Sequence, residues 1–389
     1  MPQITVKPED VHATAATRPV LEGIASMMAG AVSGVAAPQV NIIALKMPHH
    51  AGRSGYDRLL DYVAANPIIG SRDPTLTQRA ALRLLRPLLR GSGSTWYQRQ
   101  NLLAEMQATR AWARQGGQVF HFLYGENSFR YLGALKRLSR RHAVVATYHT
   151  PEWRLRELVQ RTDHMHSLDA AVVVSTVQRS FFERLLGAER TFYIPHGIDT
   201  EFYVPSARDP DEKVVRCIVV GRHLRDFETL VAAAALWRTR TPAIRLVVVT
   251  QPENHHHFSG LSNVEVHSGV SDHGLRALYQ GADMLLLPLL DCTANNALLE
   301  GMACGLPVVA TDLPAVRDYI DETCGVLAPR QDARALAAAV TTLASEPALR
   351  QAMGSASRRR AMTFAWPCVA DAFRTLYRRL GAALPGAGP

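Results

Sequence analysis

The chain has 389 residues, 47% of them hydrophobic and 20% charged, with a formal net charge of +9. That balance is ordinary for a folded globular protein, and the length suits two domains of roughly 100–200 residues each. No run of about 18 uninterrupted apolar residues occurs, so no membrane-spanning helix is expected. The five cysteines (Cys217, Cys292, Cys304, Cys324 and Cys368) are odd in number and form no C-x-x-C pair. Neither a disulfide framework nor a zinc site is expected, and a reducing, cytoplasmic setting fits.

Residues 1–37 read as an N-terminal extension or packed helix. Their most apolar stretch, 21–37, carries Glu22 and follows no basic cluster, so no secretory leader is expected. Residues 38–205 then alternate strands and helices. Strands are expected at 40–45, 119–123, 142–147 and 170–174, with a helix from about Tyr56. Between Ser71 and Gln115 stand eight arginines against two acids. Arg79, Arg83, Arg86 and Arg90 recur at three- and four-residue steps, on one face of a helix that Pro87 kinks or breaks in two. That basic face beside leucines suits either an anionic membrane surface or plain solvent. Nucleic acid is disfavoured, because no aromatics are interleaved with the basic residues. A proline-bearing, charged linker covers 204–212. A second alternating half, 213–365, has strands at 215–220, 244–250, 264–267, 284–287 and 307–311, and helices at 227–237, 275–280 and 297–304. Two helices, 355–363 and 369–380, close the pattern. Alternation of this kind predicts parallel, doubly wound sheets.

Four segments carry candidate chemistry. The first is MLLLPLLDCTANNALLEGMACGLPVVAT, 284–311, which reads strand, loop, helix, strand. Ligands collect beyond the carboxyl ends of such strands. The loop residues Asp291, Cys292, Asn295, Asn296, Ala297 and Leu298 lead into a helix whose positive end suits a diphosphate. Glu300, one turn in, could accept two hydrogen bonds from vicinal ribose hydroxyls, or could simply complement the helix dipole. The second is GRHLRDFETL, 221–230, where Gly221 turns the chain and Arg222 and Arg225 could clamp phosphate oxygens or stand in solvent. The third, TYHTPEW, 147–153, offers His149 for a substrate hydroxyl or for a structural contact. The fourth, HHAGRSGY, 49–56, places Gly52, Arg53, Ser54 and Gly55 before a helix, as an acceptor or diphosphate loop or as an ordinary turn. It is not G-x-G-x-x-G, so a nicotinamide dehydrogenase is disfavoured. The run His255, His256 and His257 has no partner ligands at useful spacing, and no metal site is expected.

Taken together, from about Val40 to Leu380, these segments resemble the retaining nucleotide-sugar glycosyltransferases of family 4. The matching stretches are YIPHGIDTEFYVP (193–205), GRHLRDF, LYQGADMLLLP (278–288) with LLEGMACGLPVVAT, and FAWPCVADAFRTLYRRL (364–380). The resemblance implies the GT-B fold: two Rossmann-like, doubly wound domains facing a central cleft. A C-terminal helix crosses back, so that 366–384 complete the first domain. It implies a nucleotide-diphosphate sugar as co-substrate, no required metal, a glycan, lipid-linked or other hydroxyl acceptor, and retention of anomeric configuration. His149 matches the family's histidine near the donor sugar, and Arg225 stands where lysine is usual. Val270 falls in the loop expected against the nucleobase. Glu300 matches the second glutamate of the family's pair, which holds the ribose. The first, which contacts the sugar, is replaced by Cys292 with Asp291 beside it. A nucleotide-sugar epimerase and a non-catalytic nucleotide-sugar-binding scaffold share this architecture and remain the alternatives.

Overall fold

The computed structural model describes residues 38–45, 52–71, 73–114, 116–136, 138–206, 213–238 and 243–384. The 1–37 extension, His49 and His50, and most of the expected linker lie outside them. The first unit contains, in order, β1 (Gln39–Ala44), β2 (Asn66–Ile69), α1 (Leu76–Leu84), α2 (Arg86–Gly91), α3 (Arg99–Arg114), β3 (Gln118–Phe122), α4 (Gly125–Ser128), α5 (Leu132–Leu135), β4 (Ala143–Tyr148), α6 (Glu152–Leu158), β5 (Ala170–Val173), α7 (Arg179–Leu186) and β6 (Thr191–Tyr193). The second runs β7 (Val214–Val220), α8 (Phe227–Leu236), β8 (Ala243–Val249), β9 (Val264–His267), α9 (Asp272–Gly281), β10 (Met284–Leu287), α10 (Asn296–Ala303), β11 (Val308–Thr311), α11 (Pro314–Arg317), β12 (Gly325–Ala328), α12 (Ala333–Ser345) and α13 (Pro347–Met362). α14 (Trp366–Ala382) then returns to the first sheet.

Each unit is built on six parallel strands, ordered β2-β1-β3-β4-β5-β6 and β12-β11-β10-β7-β8-β9. The central strands are buried without alternation, as MLLL in β10 and AVVATY in β4. Such strands need cover on both faces, and the crossover helices supply it. The second sheet has the order of a dinucleotide-binding fold; the first has the order of a flavodoxin. Both orders reverse direction within the sheet, and both leave a crevice at the carboxyl ends of the strands.

α14 supplies Trp366, Val369, Phe373 and Leu376 to the core that also holds Val40, Ile42, Val119 and Val145 of the first sheet. At roughly 1.5–3 kcal/mol per buried large side chain, this helix is a principal support of the first unit. Where the chain crosses back, the Ile198 amide donates to the Phe364 carbonyl (3.0 Å) and the Trp366 amide to the Ile198 carbonyl (3.1 Å). The two crossings are thereby pinned together. Farther out, Asp318 accepts from Ser175 Oγ (2.6 Å), the Thr176 amide (2.8 Å) and Thr176 Oγ1 (2.7 Å), which ties the units at a second place.

Some elements differ from the sequence reading. The helix expected from Tyr56 is a single 3-10 stretch, Tyr56–Asp61, followed by edge strand β2. Pro67 lies within β2, which only an edge position tolerates. β6 and β12 are further edge strands of three and four residues, too short to give a pattern. The arginine-bearing helix is broken, with Leu85 between α1 and α2 and Pro87 in the first turn of α2. Arg79, Arg83, Arg86 and Arg90 all face solvent. Leu76 and Leu84 stand beside them, 82% and 81% exposed. No helix among the described residues is long and apolar enough to cross a membrane.

Candidate active site

Between the carboxyl ends of the two sheets lies a cleft of about 1830 Å³, with walls from both units. The second unit's wall begins at α10. Asn295 caps this helix, its side chain accepting from the Leu298 amide (3.3 Å). The cap uses the Leu298 amide, and Leu298 points into the core rather than the cleft. Asn295, Asn296, Ala297 and Glu300 line the cleft.

Glu300 is 3% exposed. Its carboxylate accepts from Tyr279 Oη at 2.8 Å and from Ser54 Oγ, which comes from the opposite unit. Ser54 Oγ also lies 3.1 Å from Tyr203 Oη. Burial raises the Glu300 pKa above the ordinary carboxylate value, while the hydroxyls of Ser54, Tyr279 and Tyr203 pull it back down. Asn296 Nδ2 donates to the Ser54 carbonyl (2.9 Å), so the Ser54 loop is bound to α10 by side chain and backbone alike. Glu300 therefore already receives two O–H donors, the number that a pair of vicinal hydroxyls would bring.

The second wall segment follows β7. Gly221 has φ +97°, and a Cβ there would lie 2.9 Å from Arg225 Nη2. Only glycine allows both the turn and the inward fold of that arginine. Arg225 donates to the Val220 carbonyl through Nε (3.0 Å) and Nη2 (2.6 Å), to the His223 carbonyl (3.2 Å) and to Asn295 Oδ1 (3.3 Å). Desolvation lowers its pKa to about 10. Arg225 thus joins the β7 loop to the cap of α10. Arg222 is exposed, lines the cleft and stands 3.3 Å from Glu253 Oε1. The cleft brings these two arginines and the first turn of α10 to one place. Gly269 and Val270 form the wall beyond them.

In the loop before α10, Asp291 accepts from Trp153 Nε1 across the cleft (2.6 Å) and from the Cys292 amide (2.8 Å). Thr293 Oγ1 donates to the His149 carbonyl. Burial pushes the Cys292 thiol up to about 12. A thiol so placed is a small apolar lining group, not a nucleophile.

The first unit's wall carries His149 at the end of β4. Its ring packs edge-on to Tyr56 (4.6 Å) and beside Tyr124 (4.8 Å). Its Nδ1 stands 3.4 Å from Glu126 Oε1, and its amide donates to the same oxygen (3.3 Å). Gly125 makes this possible. A Cβ there would meet the Tyr148 ring at 2.7 Å and Ala146 at 3.0 Å, so only glycine lets α4 rest on β4. In the Gly52–Gly55 loop, Gly52 and Ser54 line the cleft. Arg53 does not: it pairs with Asp199 (3.4 Å) and lies over the Phe202 ring (5.1 Å). Gly55 precedes the 3-10 stretch and is also outside the lining. The sequence reading passed over Tyr203 and Tyr279, the Trp153–Asp291 link, and Glu126 with Asn127. Only the last had a local signal, a Gly-Glu-Asn directly beyond an apolar strand.

Two parallel six-stranded units, a cleft at their facing carboxyl edges and a C-terminal helix crossing back define a GT-B protein. Solved structures agree in fold. Sucrose-phosphate synthase from Thermosynechococcus elongatus superposes with a TM-score of 0.66 over 89% of this chain and 100% of its own, at 20% identity. Anabaena HepE in complex with UDP does so at 0.61, over 85% and 97%, at 12% identity. In sequence, residues 215–346 match the family described as "Glycosyl transferases group 1". The D-inositol 3-phosphate glycosyltransferase of Saccharomonospora viridis is 28% identical over 277 residues, 63% of each chain. The MMP alpha-(1->4)-mannosyltransferase of Mycolicibacterium hassiacum is 28% identical over 200 residues, 49% of each. The matched stretch thus spans less than two-thirds of either relative. In these comparisons the chain is similar to the family 4-like glycosyltransferases.

Proposed function

We propose that this chain transfers a glycosyl unit from a nucleoside-diphosphate sugar to a hydroxyl acceptor, with retention of anomeric configuration and without a metal requirement. The observation that carries the reading is Glu300. It is a buried carboxylate one turn into a helix at a strand's carboxyl edge, and it already receives two hydroxyl donors. A ribose offering vicinal hydroxyls takes the place of Ser54 on one carboxylate oxygen and shares the other with Tyr279. The diphosphate then lies against the first turn of α10 and Arg222, with Arg225 holding the loop and cap in register. These groups stabilise the charge that develops as the diphosphate leaves. The acceptor hydroxyl attacks on the face that the diphosphate vacates, and a diphosphate oxygen takes its proton. His149 stands at the opposite wall as a donor to the sugar. Val270 lies against the base.

Asp291 takes no direct part in sugar recognition on this reading, because its carboxylate is engaged by Trp153. Its role is to hold the two walls together. The exposed Arg79, Arg83, Arg86 and Arg90 face of the first unit suits contact with an anionic bilayer surface.

Calorimetric titration with UDP, GDP and ADP tests the nucleotide site. Proton NMR of the product tests retention. An isomerised donor formed without acceptor identifies an epimerase instead, and tight nucleotide binding with no product from any acceptor identifies a scaffold.

A further inference from the structure

The first unit's wall holds a cluster of polar atoms that the protein itself leaves without partners. Glu126, Asn127 and Thr150 are 2%, 9% and 7% exposed. Glu126 Oε2, Asn127 Oδ1, Thr150 Oγ1 and both ring nitrogens of His149 make no hydrogen bond. Asn101, 1% exposed, is oriented by its Oδ1, which accepts from the Gln98 amide at 2.9 Å, while its Nδ2 is unpaired. All five residues line the cleft. A buried polar atom left unpaired costs about 1–3 kcal/mol, so several together are costly unless something binds there.

The donor and acceptor character of the cluster restricts what that is. Glu126 Oε2 and Asn127 Oδ1 can only accept from a neighbour, Asn101 Nδ2 can only donate, and Thr150 and His149 can do either. Hydroxyl groups satisfy all of these at once. A phosphate offers acceptors alone, leaves Asn127 Oδ1 unpaired and brings negative charge against the Glu126 carboxylate. Among the described residues that line this wall, the arginines are Arg99 and Arg154, and both are peripheral. Arg99 is exposed. Arg154 pairs with Glu157 (2.7 Å) and lies over the Trp96 ring (5.8 Å).

We propose that Glu126, Asn127 and Thr150, with Asn101 at the start of α3, form a subsite for an uncharged polyhydroxylated acceptor, a free sugar or cyclic polyol, next to the His149 that faces the donor sugar, and discriminate against a phosphorylated one. The subsite rests on the transfer reading above and specifies its second substrate. Each hydroxyl held here both donates and accepts, and the hydroxyl that reacts is turned toward the α10 side of the cleft.

The test offers the wild-type chain UDP-glucose, GDP-mannose and ADP-glucose in turn, with glucose, mannose or myo-inositol and the monophosphate of each as acceptor. Product mass and released nucleoside diphosphate are read. The neutral acceptors are expected to exceed their phosphates by about tenfold or more in kcat/KM. Asn127→Ala and Thr150→Val raise the acceptor KM by about fivefold or more, while the nucleoside-diphosphate Kd from calorimetry changes by less than about twofold. Glu126→Gln narrows the preference against phosphates. If a variant fails to fold, the wild-type acceptor panel still decides. Preference for a phosphorylated acceptor, unchanged KM in both folded variants, or nucleotide binding without transfer to any neutral polyol overturns the subsite. Absence of nucleoside-diphosphate binding by the folded wild-type chain overturns the transfer reading beneath it.

Discussion

Replacing Glu300 by Gln removes one charge and keeps the shape. In the nucleotide complex the carboxylate accepts two ribose hydroxyls, and a hydrogen bond to a charged group contributes about 1.5–3 kcal/mol. Weakening one such bond raises the Kd of the preferred nucleoside diphosphate by roughly 10- to 150-fold. The unliganded protein responds in the opposite sense. The folded pKa of Glu300 is raised above the ordinary carboxylate value of 4.5, chiefly by burial. Its contribution to stability is therefore fully present below about pH 4.5 and is lost as pH rises through the folded value. Glu300→Gln removes that loss, so its Tm equals or exceeds that of wild type at pH 7, and the gap closes toward pH 4.5. Calorimetry at pH 7 and thermal scans from pH 4.5 to 8 measure both effects. A variant that binds nucleoside diphosphates like wild type, with a parallel pH profile of Tm, refutes the assignment of Glu300.

Arg222→Ala weakens nucleoside-diphosphate binding by about tenfold, equivalent to one exposed charge-assisted contact, and leaves Tm within about 2 °C by thermal scan. Arg225→Ala lowers Tm as well, because three carbonyl contacts and the Asn295 contact vanish; an unchanged Tm shows that the loop does not need it. Trp153→Phe removes the bond to Asp291, and faster donor hydrolysis without acceptor is expected, since the closed cleft then admits water. An unchanged hydrolysis rate separates that contact from closure. His121 is buried between Tyr377 Oη (2.6 Å) and Thr147 Oγ1 (2.8 Å), and burial lowers its pKa to about 3. Stability is full above the ordinary histidine value of 6.5 and falls as pH drops from there toward 3, by about 1.4 kcal/mol per pH unit. His121→Gln should flatten this acid limb in denaturant titrations, and an unchanged slope assigns acid lability to other groups.

Much of the fold can be read from the residues because parallel strands buried on both faces write their own pattern. β9 and β10 were expected at their observed bounds. β2, β6 and β12 were not legible: Pro67 disguises β2, β6 has only three residues, and β12 begins at Gly325 and ends at Ala328, whereas β9, also a four-residue edge strand, shows its alternation in Val264, Glu265 and Val266. The candidate site divides in a similar way. Glu300, Arg222, Arg225 and His149 were visible because each follows a strand, at the edge where ligands gather. Arg53 illustrates the limit. Its loop position suggested the cleft, but Asp199 and Phe202 draw it away, and both are more than 140 residues distant in the chain. Tyr279 was within a quoted segment, but its role depends on where Glu300 comes to rest. Glu126 and Asn127 had a local signal in the Gly-Glu-Asn beyond β3, but their meaning lies in the partners they lack, which only the folded wall reveals.

The returning helix α14 also has a consequence for how the protein is made. The first unit's core includes Trp366, Phe373 and Tyr377, and His121 at its centre bonds to Tyr377. During synthesis that unit emerges first, but residues 214–365 must follow before its missing helix exists. The second unit carries its own cores and can settle while the first still exposes one side of its sheet. On the ribosome the order of folding therefore reverses the order of synthesis, and the interval in which that bare face waits is when a chaperone would find this chain.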